Sequence, residues 1–258
     1  MDTTKTAIAD SSYVKTKKLV IDVKNLKKSF GTQKVLQKIS MQLFDGENLV
    51  VLGKSGSGKS VLVKCIIRLL EADGGSIDIL GENVDRLQQD GLMEIRKKIG
   101  FLFQSGALYD SMTVRENLEF PLTRIKKDLT RAAVNEKVKE ALENVGLLEA
   151  IDKMPAQLSG GMRKRISLAR TIVLDPMIML YDEPTTGLDP ITSDEISILI
   201  KDIQQKYKTS SIIITHDIAC ARSTANRVVM LHEGQIYQEG SLESFEKSED
   251  MFIKSFFK

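Results

Sequence analysis

The sequence predicts an α/β fold with a mostly parallel core sheet, an N-terminal antiparallel β subdomain and an inserted helical subdomain. Three short apolar runs, at residues 48–52, 177–181 and 211–215, have the length and composition of strands that are buried on both faces. The second and third runs flank a helical pattern from Pro190 to about Lys206, in which proline opens the first turn. Strands that alternate with helices favour a parallel sheet, so these runs define the predicted core.

The N-terminal subdomain is predicted from strand patterns on either side of the first core run. Residues 19–23 form one apolar strand and residues 35–43 its partner, and the two are joined through residues 28–31. Residues 75–80 predict a further strand. Residues 1–18 are polar and predict a disordered lead-in, which lacks the apolar core of a secretory signal.

Two regions show helical periodicity. A helix is predicted over residues 60–70, because one face of this segment is apolar and carries Val61, Cys65, Ile66 and Leu69. Residues from about 104 to 170 change character and predict mainly helix, inserted between core strands. The apolar stripe of this insert consists of Val134, Val138, Leu142 and Val145, and Gly146 follows it as a C-terminal cap.

The C-terminal part predicts a hairpin and a short apolar tail. Residues 228–238 contain the hairpin, with Glu233 and Gly234 at its turn. Internal repeats and low-complexity linkers are absent from the sequence, which predicts one domain over residues 19–242 and a tail at 243–258. Residues 251–258 place apolar side chains one helical turn apart. Two roles stay open for them: packing on their own domain or clasping a neighbouring subunit.

Composition limits the functional classes. The chain of 258 residues is 42% hydrophobic and 28% charged, as in soluble globular proteins, and its net charge of +2 gives no general attraction to nucleic acid. The basic cluster at residues 163–165 is interpreted as a solvated helix face. Cys65 and Cys220 lack metal-ligand spacing and are expected to be buried free thiols in a reducing cytoplasm. Because no apolar run approaches the ~18 residues that span a bilayer, a role at a membrane would require a partner.

Residues 53–60 match the phosphate-binding pattern G-x-x-x-x-G-K-S between a strand and a helix. Glycines allow consecutive backbone N–H groups to surround phosphate oxygens at the positive end of the helix. Lys59 is expected to reach the β- and γ-phosphates and Ser60 to ligate Mg²⁺. The predicted ATP-binding residues of this segment are Gly53, Lys54, Ser55, Gly56, Ser57, Gly58, Lys59, Ser60 and Val61.

Two carboxylates and a histidine follow the other core runs. After a phosphate-binding loop, Asp182 at a strand end is expected to bind Mg²⁺ directly or through water. Glu183 is the group expected to orient or deprotonate the attacking water. His216 lies at the tip of the third run, where it is predicted to contact the γ-phosphate and sense its loss.

Two further side chains are candidates because of their position. Gln104 lies where the core gives way to the helical insert, so its amide is expected to touch Mg²⁺ or the attacking water; a surface glutamine is the alternative. Phe30 is predicted to stack on adenine, a contact worth about 1–3 kcal/mol by analogy with base–aromatic stacking. A simple packing role is the alternative for Phe30.

A second glycine-rich turn, Ser159-Gly160-Gly161, precedes another helix. Ser159 is expected to cap this helix, and the two glycines expose backbone N–H groups at its positive end. An ordinary serine–glycine cap is the alternative. As an anion-binding surface, the turn would have no nucleotide to contact in a monomer. The sequence therefore predicts a homodimer that holds ATP between its two copies.

The phosphate-binding loop and residues 158–162, 178–184 and 214–217 together resemble the ABC-transporter ATPase family, over about residues 19–242. The resemblance implies a P-loop NTPase of the ABC ATPase class, with ATP and Mg²⁺ as cofactors. It implies that residues 159–161 of one subunit act on ATP held by the other. It also identifies Gly187-Leu188-Asp189 as the loop that crosses the dimer interface, Gln104 as the lid-linked glutamine and His216 as the switch histidine.

A narrower resemblance comes from the segments around these motifs. Met162 stands where the family usually has glutamine, and residues 102–109 and 112–117 complete a pattern similar to the ATPases of Mce/Mla-type lipid transporters. This similarity implies a peripheral location on the cytoplasmic face of the bacterial inner membrane and an integral membrane permease as partner. A substrate-binding Mce-domain protein and a small regulatory subunit are further candidate partners.

The segment after Gln104 is suited to docking the permease. Small residues at 105–107 leave a cleft, and Leu108 and Tyr109 supply apolar walls. The alternative is that these residues only pack the helical insert.

The sequence thus predicts a homodimeric ATPase that closes on two Mg·ATP and drives a permease in lipid or phospholipid transport. Two alternatives stay open: the ATPase of a small-solute ABC importer, and a soluble ABC ATPase that acts as an assembly scaffold, such as in iron–sulfur cluster assembly. A DNA-repair clamp is disfavoured because no coiled-coil heptad run occurs. A P-loop kinase would leave residues 158–162 unexplained, and no nucleic-acid partner is expected.

Overall fold

The computed structural model describes residues 17–257, so the predicted disordered lead-in lies, up to residue 16, outside the described residues. The strands are β1 Leu19–Phe30, β2 Gln33–Phe44, β3 Asn48–Leu52, β4 Gly74–Ile79, β5 Glu82–Asn83, β6 Ile99–Leu102, β7 Ile178–Asp182, β8 Ser210–Thr215, β9 Arg227–His232 and β10 Gln235–Gly240. The α-helices are α1 Lys59–Ile66, α2 Gln89–Arg96, α3 Val114–Ile125, α4 Arg131–Asn144, α5 Gly160–Ile172, α6 Pro190–Tyr207, α7 Ile218–Thr224, α8 Leu242–Glu246 and α9 Met251–Lys254. Short 3₁₀ turns lie at Val84–Arg86, Leu148–Ala150 and Pro155–Gln157.

The core is a six-stranded sheet in the order β10-β9-β3-β8-β7-β6. All neighbours from β9 to β6 pair in parallel, and only the β9–β10 edge is antiparallel. Every residue of β3, β7 and β8 is buried, as their apolar composition predicts. The mostly parallel core is therefore confirmed. Because parallel strands end at one edge of the sheet, the segments after these three strands meet there.

A second, antiparallel sheet of order β2-β1-β4-β5 covers the N-terminal part and confirms the predicted β subdomain. The predicted connection through residues 28–31 is wrong in its bounds. Lys28 and Ser29 still pair with β2, and Phe30 pairs with Gln33. The turn is shorter because Gly31, at φ +56°, closes the hairpin within two residues.

Helix α1 is shorter than the predicted 60–70 segment and ends at Ile66. Arg68 adopts a left-handed φ of +52°, which breaks the helix without a glycine or proline signal. The side chain of Arg96 then donates to the carbonyls of Ile67 and Arg68, so this irregular end is satisfied. Leu69 is consequently 48% exposed rather than part of the buried face.

The segment between β6 and β7 contains three α-helices. α3 begins with a capping box, in which the Thr113 hydroxyl accepts from Glu116 N and the Glu116 carboxylate accepts from Thr113 N. The predicted stripe of α4 is buried, and Gly146 beyond its end has φ +68°, as expected of a C-terminal cap. Within residues 17–257, no helix combines the length and apolar composition needed to cross a membrane.

The C-terminal tail packs on its own domain. Ile253 in α9 is fully buried, and the Phe252 ring lies 4.0 Å from the His232 ring and 5.0 Å from the Tyr237 ring, between centroids. The Nζ atom of Lys54 lies 5.4 Å from the centroid of Phe252. Of the two roles left open for the tail, the structure shows packing on its own domain. This packing brings Phe252 of the tail close to Lys54, in the loop that follows β3.

A buried ion pair joins the start of β3 to the β9–β10 edge. Nε and Nη2 of Arg227 lie 2.7 Å and 2.9 Å from the two carboxylate oxygens of Glu47, which is fully buried. Arg227 also donates to the carbonyl of Gln42 in β2 and pairs with Glu239 in β10. This cation therefore connects the antiparallel sheet with the core sheet that carries the site.

Candidate functional site

The loop of residues 53–58 connects β3 to the N-terminus of α1. Gly58 precedes the helix with φ +102°, and a Cβ there would lie 2.9 Å from the carbonyl oxygen of Val35 in β2. Only glycine fits such a backbone conformation beside another chain segment. The hairpin of β1 and β2 therefore lies directly against the loop. Phe30, close to the hairpin tip, is 47% exposed, and Nζ of Lys28 lies 5.4 Å from its ring centroid.

The side chain of Lys59 is buried inside this loop. Its Nζ donates to the carbonyls of Gly53 at 2.8 Å and Lys54 at 3.2 Å, and lies 3.2 Å from Oε1 of Glu183. The hydroxyl of Ser57 is buried in the same loop and has no hydrogen-bond partner among residues 17–257. An ammonium and an unsatisfied hydroxyl beside a helix N-terminus fit the recognition of a phosphate group.

Ser60 and Asp182 bring two oxygen ligands together at the end of β7. The Ser60 hydroxyl donates to Oδ1 of Asp182 at 2.8 Å. Burial raises the pKa of the Asp182 carboxyl, although the Ser60 hydrogen bond and the charge of Lys64 oppose this shift. A buried carboxylate beside a hydroxyl is a donor set that suits Mg²⁺, because a hard cation prefers oxygen and offsets the unfavourable burial of charge.

Glu183 is held between β7 and β8. Its backbone N donates to the carbonyl of Ile214 at 2.9 Å, and its φ of +50° lies in the left-handed region. The Oε2 atom lies 2.8 Å from Nδ1 of His216 and accepts a hydrogen bond from the Thr186 hydroxyl at 3.1 Å. The backbone is thus bent so that the carboxylate faces Lys59 on one side and His216 on the other. The structure brings together the predicted Lys59, Glu183 and His216.

Gln104 lies two residues beyond β6 with an exposed side chain. Its backbone carbonyl accepts a hydrogen bond of 2.6 Å from Nζ of Lys164 on α5. The interpretation of residues 163–165 as a solvated face is therefore wrong for Lys164, which is only 6% exposed. Lys164 is buried because it lies one helical turn before the buried Leu168.

The second glycine-rich turn forms the N-terminus of α5. The Ser159 hydroxyl accepts from Met162 N at 3.2 Å, which confirms the predicted cap, and Ser159 and Gly160 are exposed. Gly161 is enclosed instead, because a Cβ there would lie 2.6 Å from Cγ2 of Thr192 in the first turn of α6. The turn therefore combines an exposed donor surface with a close contact to the segment that follows residues 187–189.

The fold and these contacts define a P-loop nucleotide-binding domain of the α/β class, with two carboxylates and a histidine aligned at the phosphate-binding end of its sheet. The sequence pattern of the ABC transporter family matches residues 36–186. The chain belongs to this family and carries its ATPase domain, which binds and hydrolyses ATP.

Curated relatives extend the match beyond this region. The chain is 39% identical over 238 residues to the probable ribonucleotide transport ATP-binding protein mkl of Mycobacterium leprae, covering 92% of this chain and 68% of the relative. It is 36% identical over 221 residues to the methionine import ATP-binding protein MetN of Brucella abortus, covering 86% of this chain and 59% of that protein. The chain thus spans about two thirds or less of the length of these relatives.

Solved structures have the same fold. A dimeric structure of the ATP-binding cassette MJ0796 in a post-hydrolysis state, bound to ADP and Pi, superposes with a TM-score of 0.79 at 31% identity and covers 86% of this chain and 98% of that one. CbiO1 of Clostridium perfringens, part of the ABC transporter complex cbiONQ, superposes with a TM-score of 0.82 at 27% identity, covering 93% and 95% of the two chains.

Proposed function

We propose that the chain is the ATP-hydrolysing subunit of an ABC transporter, that it closes as a homodimer around two Mg·ATP, and that it drives a membrane permease. The observation that carries the proposal is the shared carboxylate of Glu183, which contacts Lys59 through one oxygen and His216 through the other. Lys59 would bind the β- and γ-phosphates, where the loop N–H groups and the helix dipole favour negative charge. Phe30, exposed close to the hairpin tip, would stack on the adenine.

Glu183 would act as the base that orients the attacking water, and His216 would contact the γ-phosphate and register its loss. The Lys59 ammonium lies within ion-pair distance of Glu183, so binding of a triphosphate would draw Lys59 away from the carboxylate. That exchange would free Glu183 to accept a proton as the nucleotide binds. Gln104 would approach the γ-phosphate from the segment that leads to the helical insert.

Mg²⁺ would be held by Ser60 and Asp182, with Gln104 as a further ligand, and would supply charge neutralisation at the phosphates. The burial of Asp182 and its hydrogen bond to Ser60 support this assignment.

The exposed turn at residues 159–161 supports a dimer. The Ser159 and Gly160 surface faces outward, where a nucleotide held by a second copy could meet it. MJ0796, which has the same fold, is dimeric in its complex with ADP and Pi. Closure would then use binding energy at two composite sites, and hydrolysis would remove the phosphates that hold the copies together.

The surface beyond Gln104 would dock the permease. Tyr109 is 45% exposed, its ring lies 5.2 Å from the Phe120 ring in an edge-to-face arrangement, and the Arg170 guanidinium lies 5.7 Å from its centroid. An aromatic and arginine patch of this kind is typical of interface centres. Such docking would place the chain at the cytoplasmic face of the inner membrane.

The proposed cargo is a lipid or phospholipid, with an Mce-domain protein and a small regulatory subunit as further partners. Met162 and residues 102–109 and 112–117 support this assignment. The first alternative is a small-solute importer, which the names of the relatives favour: ribonucleotide transport for mkl and methionine import for MetN. A soluble ABC scaffold, such as in iron–sulfur cluster assembly, is the second alternative.

Glu183→Gln tests the ATPase mechanism. Glutamine keeps the length and shape of the side chain but is not a base, so ATP binding should persist while turnover falls roughly 100-fold or more. Glu195→Gln, on the exposed face of α6, is the matched control and should hydrolyse ATP like the wild type. Hydrolysis by Glu183→Gln near the wild-type rate would reject Glu183 as the base.

Purification from detergent-solubilised membranes tests the partner and the cargo. A tagged chain should retain an integral membrane permease, and mass spectrometry of the complex should find bound phospholipid. Recovery of a permease with a bound small solute would favour the importer. Recovery of soluble partners alone would favour the scaffold.

A further inference from the structure

A buried lysine connects two parts of the proposed nucleotide sites within one chain, the helix of the Ser159 turn and the segment at Gln104. Lys164 projects from the second turn of α5, whose N-terminus is the Ser159 turn, and its Nζ donates to the carbonyl of Gln104 at 2.6 Å. Only 6% of Lys164 is exposed. Burial lowers the pKa of its ammonium, and the negative charges of Asp182 and Glu183 oppose that shift. Lys164 therefore lies in the electrostatic field of the catalytic carboxylates.

Two further side chains of α5 contact the rest of the segment after Gln104. Arg170, six residues along the helix, donates to the carbonyl of Ala107 at 2.6 Å and to that of Gly106 at 3.3 Å. Between the two cations, Ser167 is so close that a Cβ on Gly106 would lie 2.6 Å from its hydroxyl oxygen. Residues 104–107 are thus bound to α5 through carbonyls at both ends and a tight contact in the middle.

The bond from Lys164 to the Gln104 carbonyl is only partly buried and Gln104 itself is exposed, so water could replace Lys164 as the donor. A buried charge, in contrast, is costly to the fold, and replacing it with an apolar side chain of similar volume is often neutral or stabilising. A desolvated lysine at this position therefore favours a role in placing the segment over one in stability.

We propose that Lys164 is a positioning residue, which sets the Gln104 segment of one nucleotide site from the helix whose N-terminal turn serves the other site. The inference rests on the proposed function of the two composite sites. When the Ser159 turn engages a nucleotide held by the partner copy, any displacement of α5 is passed through Lys164 to the Gln104 backbone. Each chain would then link the ATP that it holds to the ATP that it covers.

Lys164→Met tests the inference in the full-length protein, because methionine keeps much of the length and removes the donor and the charge. We expect the kcat of ATP hydrolysis to fall by roughly tenfold, within the range of couplings carried by residues that touch neither ligand. The Kd of a fluorescent ATP analogue should change by less than about twofold, and the melting temperature should stay the same or rise. Lys164→Arg, which restores a cationic donor, should recover most of the lost activity.

Lys201→Met, on the exposed surface of α6, is the matched lysine control and should retain wild-type kcat. A wild-type kcat for Lys164→Met would overturn the inference while leaving the proposed function in place. A fall in kcat that only follows a fall in melting temperature would also overturn it, because the lysine would then be structural. A folded wild-type protein that hydrolyses no ATP would instead overturn the proposed function itself.

Discussion

Nδ1 of His216 lies 2.8 Å from Oε2 of Glu183, although the two residues follow different strands and differ in exposure to solvent. The His216 side chain is 56% exposed, whereas that of Glu183 is 10% exposed. The histidine thus covers the carboxylate from the solvent side, and Lys59 approaches its other oxygen from within the loop.

His216→Ala should therefore separate binding from chemistry. We expect ATP turnover to fall by about 100-fold, the lower part of the range for a lost proton-transfer group, because Glu183 loses the partner that orients it. Nucleotide affinity should change only about threefold, since the phosphate-binding loop is intact. His232→Ala, at the other histidine of the chain, is the control for a general effect of histidine removal. Equal activity of His216→Ala and wild type would reject the role of the contact.

Asp182→Asn should stabilise the nucleotide-free protein at neutral pH. Burial raises the pKa of Asp182 in the folded state above its unfolded value, so folding takes up a proton between those two values. Stability consequently falls as pH rises through this window, and the penalty persists at pH 7. A neutral asparagine avoids it, so the melting temperature at pH 7 should rise, and the increase should vanish at a pH below the unfolded pKa.

A calorimetric scan of both proteins at acidic and neutral pH measures this difference. Asp194→Asn, at an exposed position on α6, serves as the control and should leave the pH dependence unchanged. A melting temperature for Asp182→Asn that is lower than wild type at pH 7 would contradict the prediction.

The two glycines of the Ser159 turn should respond differently to alanine. A Cβ at position 161 would lie 2.6 Å from Cγ2 of Thr192, whereas a Cβ at position 160 would meet Leu188 at an ordinary 3.6 Å. Gly161→Ala should therefore destabilise the fold by about 1–3 kcal/mol, the usual cost of overpacking. Gly160→Ala should leave the stability within about 1 kcal/mol of wild type.

Thr192→Ser provides the rescue, because serine lacks Cγ2 but keeps a hydroxyl for the bond of 2.6 Å to Asp189. The double variant Gly161→Ala/Thr192→Ser should recover most of the stability lost by Gly161→Ala, as measured by urea denaturation. Failure of the rescue would mean that the packing against Thr192 is not the source of the effect.

Arg227→Met should be among the more destabilising single changes in the chain. It leaves the fully buried Glu47 without its cation, and breaking a buried pair in this way costs about 3–5 kcal/mol. Arg222→Met, which breaks a pair with Glu246 between exposed side chains, should cost about 0–1 kcal/mol. Denaturant unfolding of the two variants measures the contrast. Similar losses from both would contradict the expected cost of leaving Glu47 buried without its cation.

Much of the fold was predictable because the core strands consist mainly of apolar residues and are buried along their whole length. β3, β7 and β8 lie within a residue of their predicted bounds, and the Glu233-Gly234 turn has the two positive φ angles of 46° and 73° expected of a tight hairpin. Burial on both faces removes the alternation that makes half-exposed strands ambiguous. The loop between β3 and α1 was predictable for a related reason, since glycine spacing is fixed by backbone geometry.

The parts that were not predictable depend on contacts distant in sequence. Arg68 ends α1 in a left-handed conformation that Arg96 satisfies from α2, a solution invisible in the local pattern. The bond from Lys164 to Gln104 spans 60 positions, and a basic triplet gives no indication of which member is buried. The Lys59–Glu183 ion pair likewise could not be predicted locally, because Lys59 follows β3 and Glu183 follows β7. The two residues meet only once the sheet is assembled.

The left-handed backbone conformation of Glu183 affects which side chains favour stability at this position. A residue with a Cβ at φ +50° is strained by about 1–2 kcal/mol, and glycine or asparagine would relieve that strain. Variant libraries selected only for heat resistance should therefore enrich glycine or asparagine at this position. The selected variants should have a higher melting temperature and a lower rate of ATP hydrolysis. Glutamate at position 183 thus carries a conformational cost that a selection for stability alone would remove.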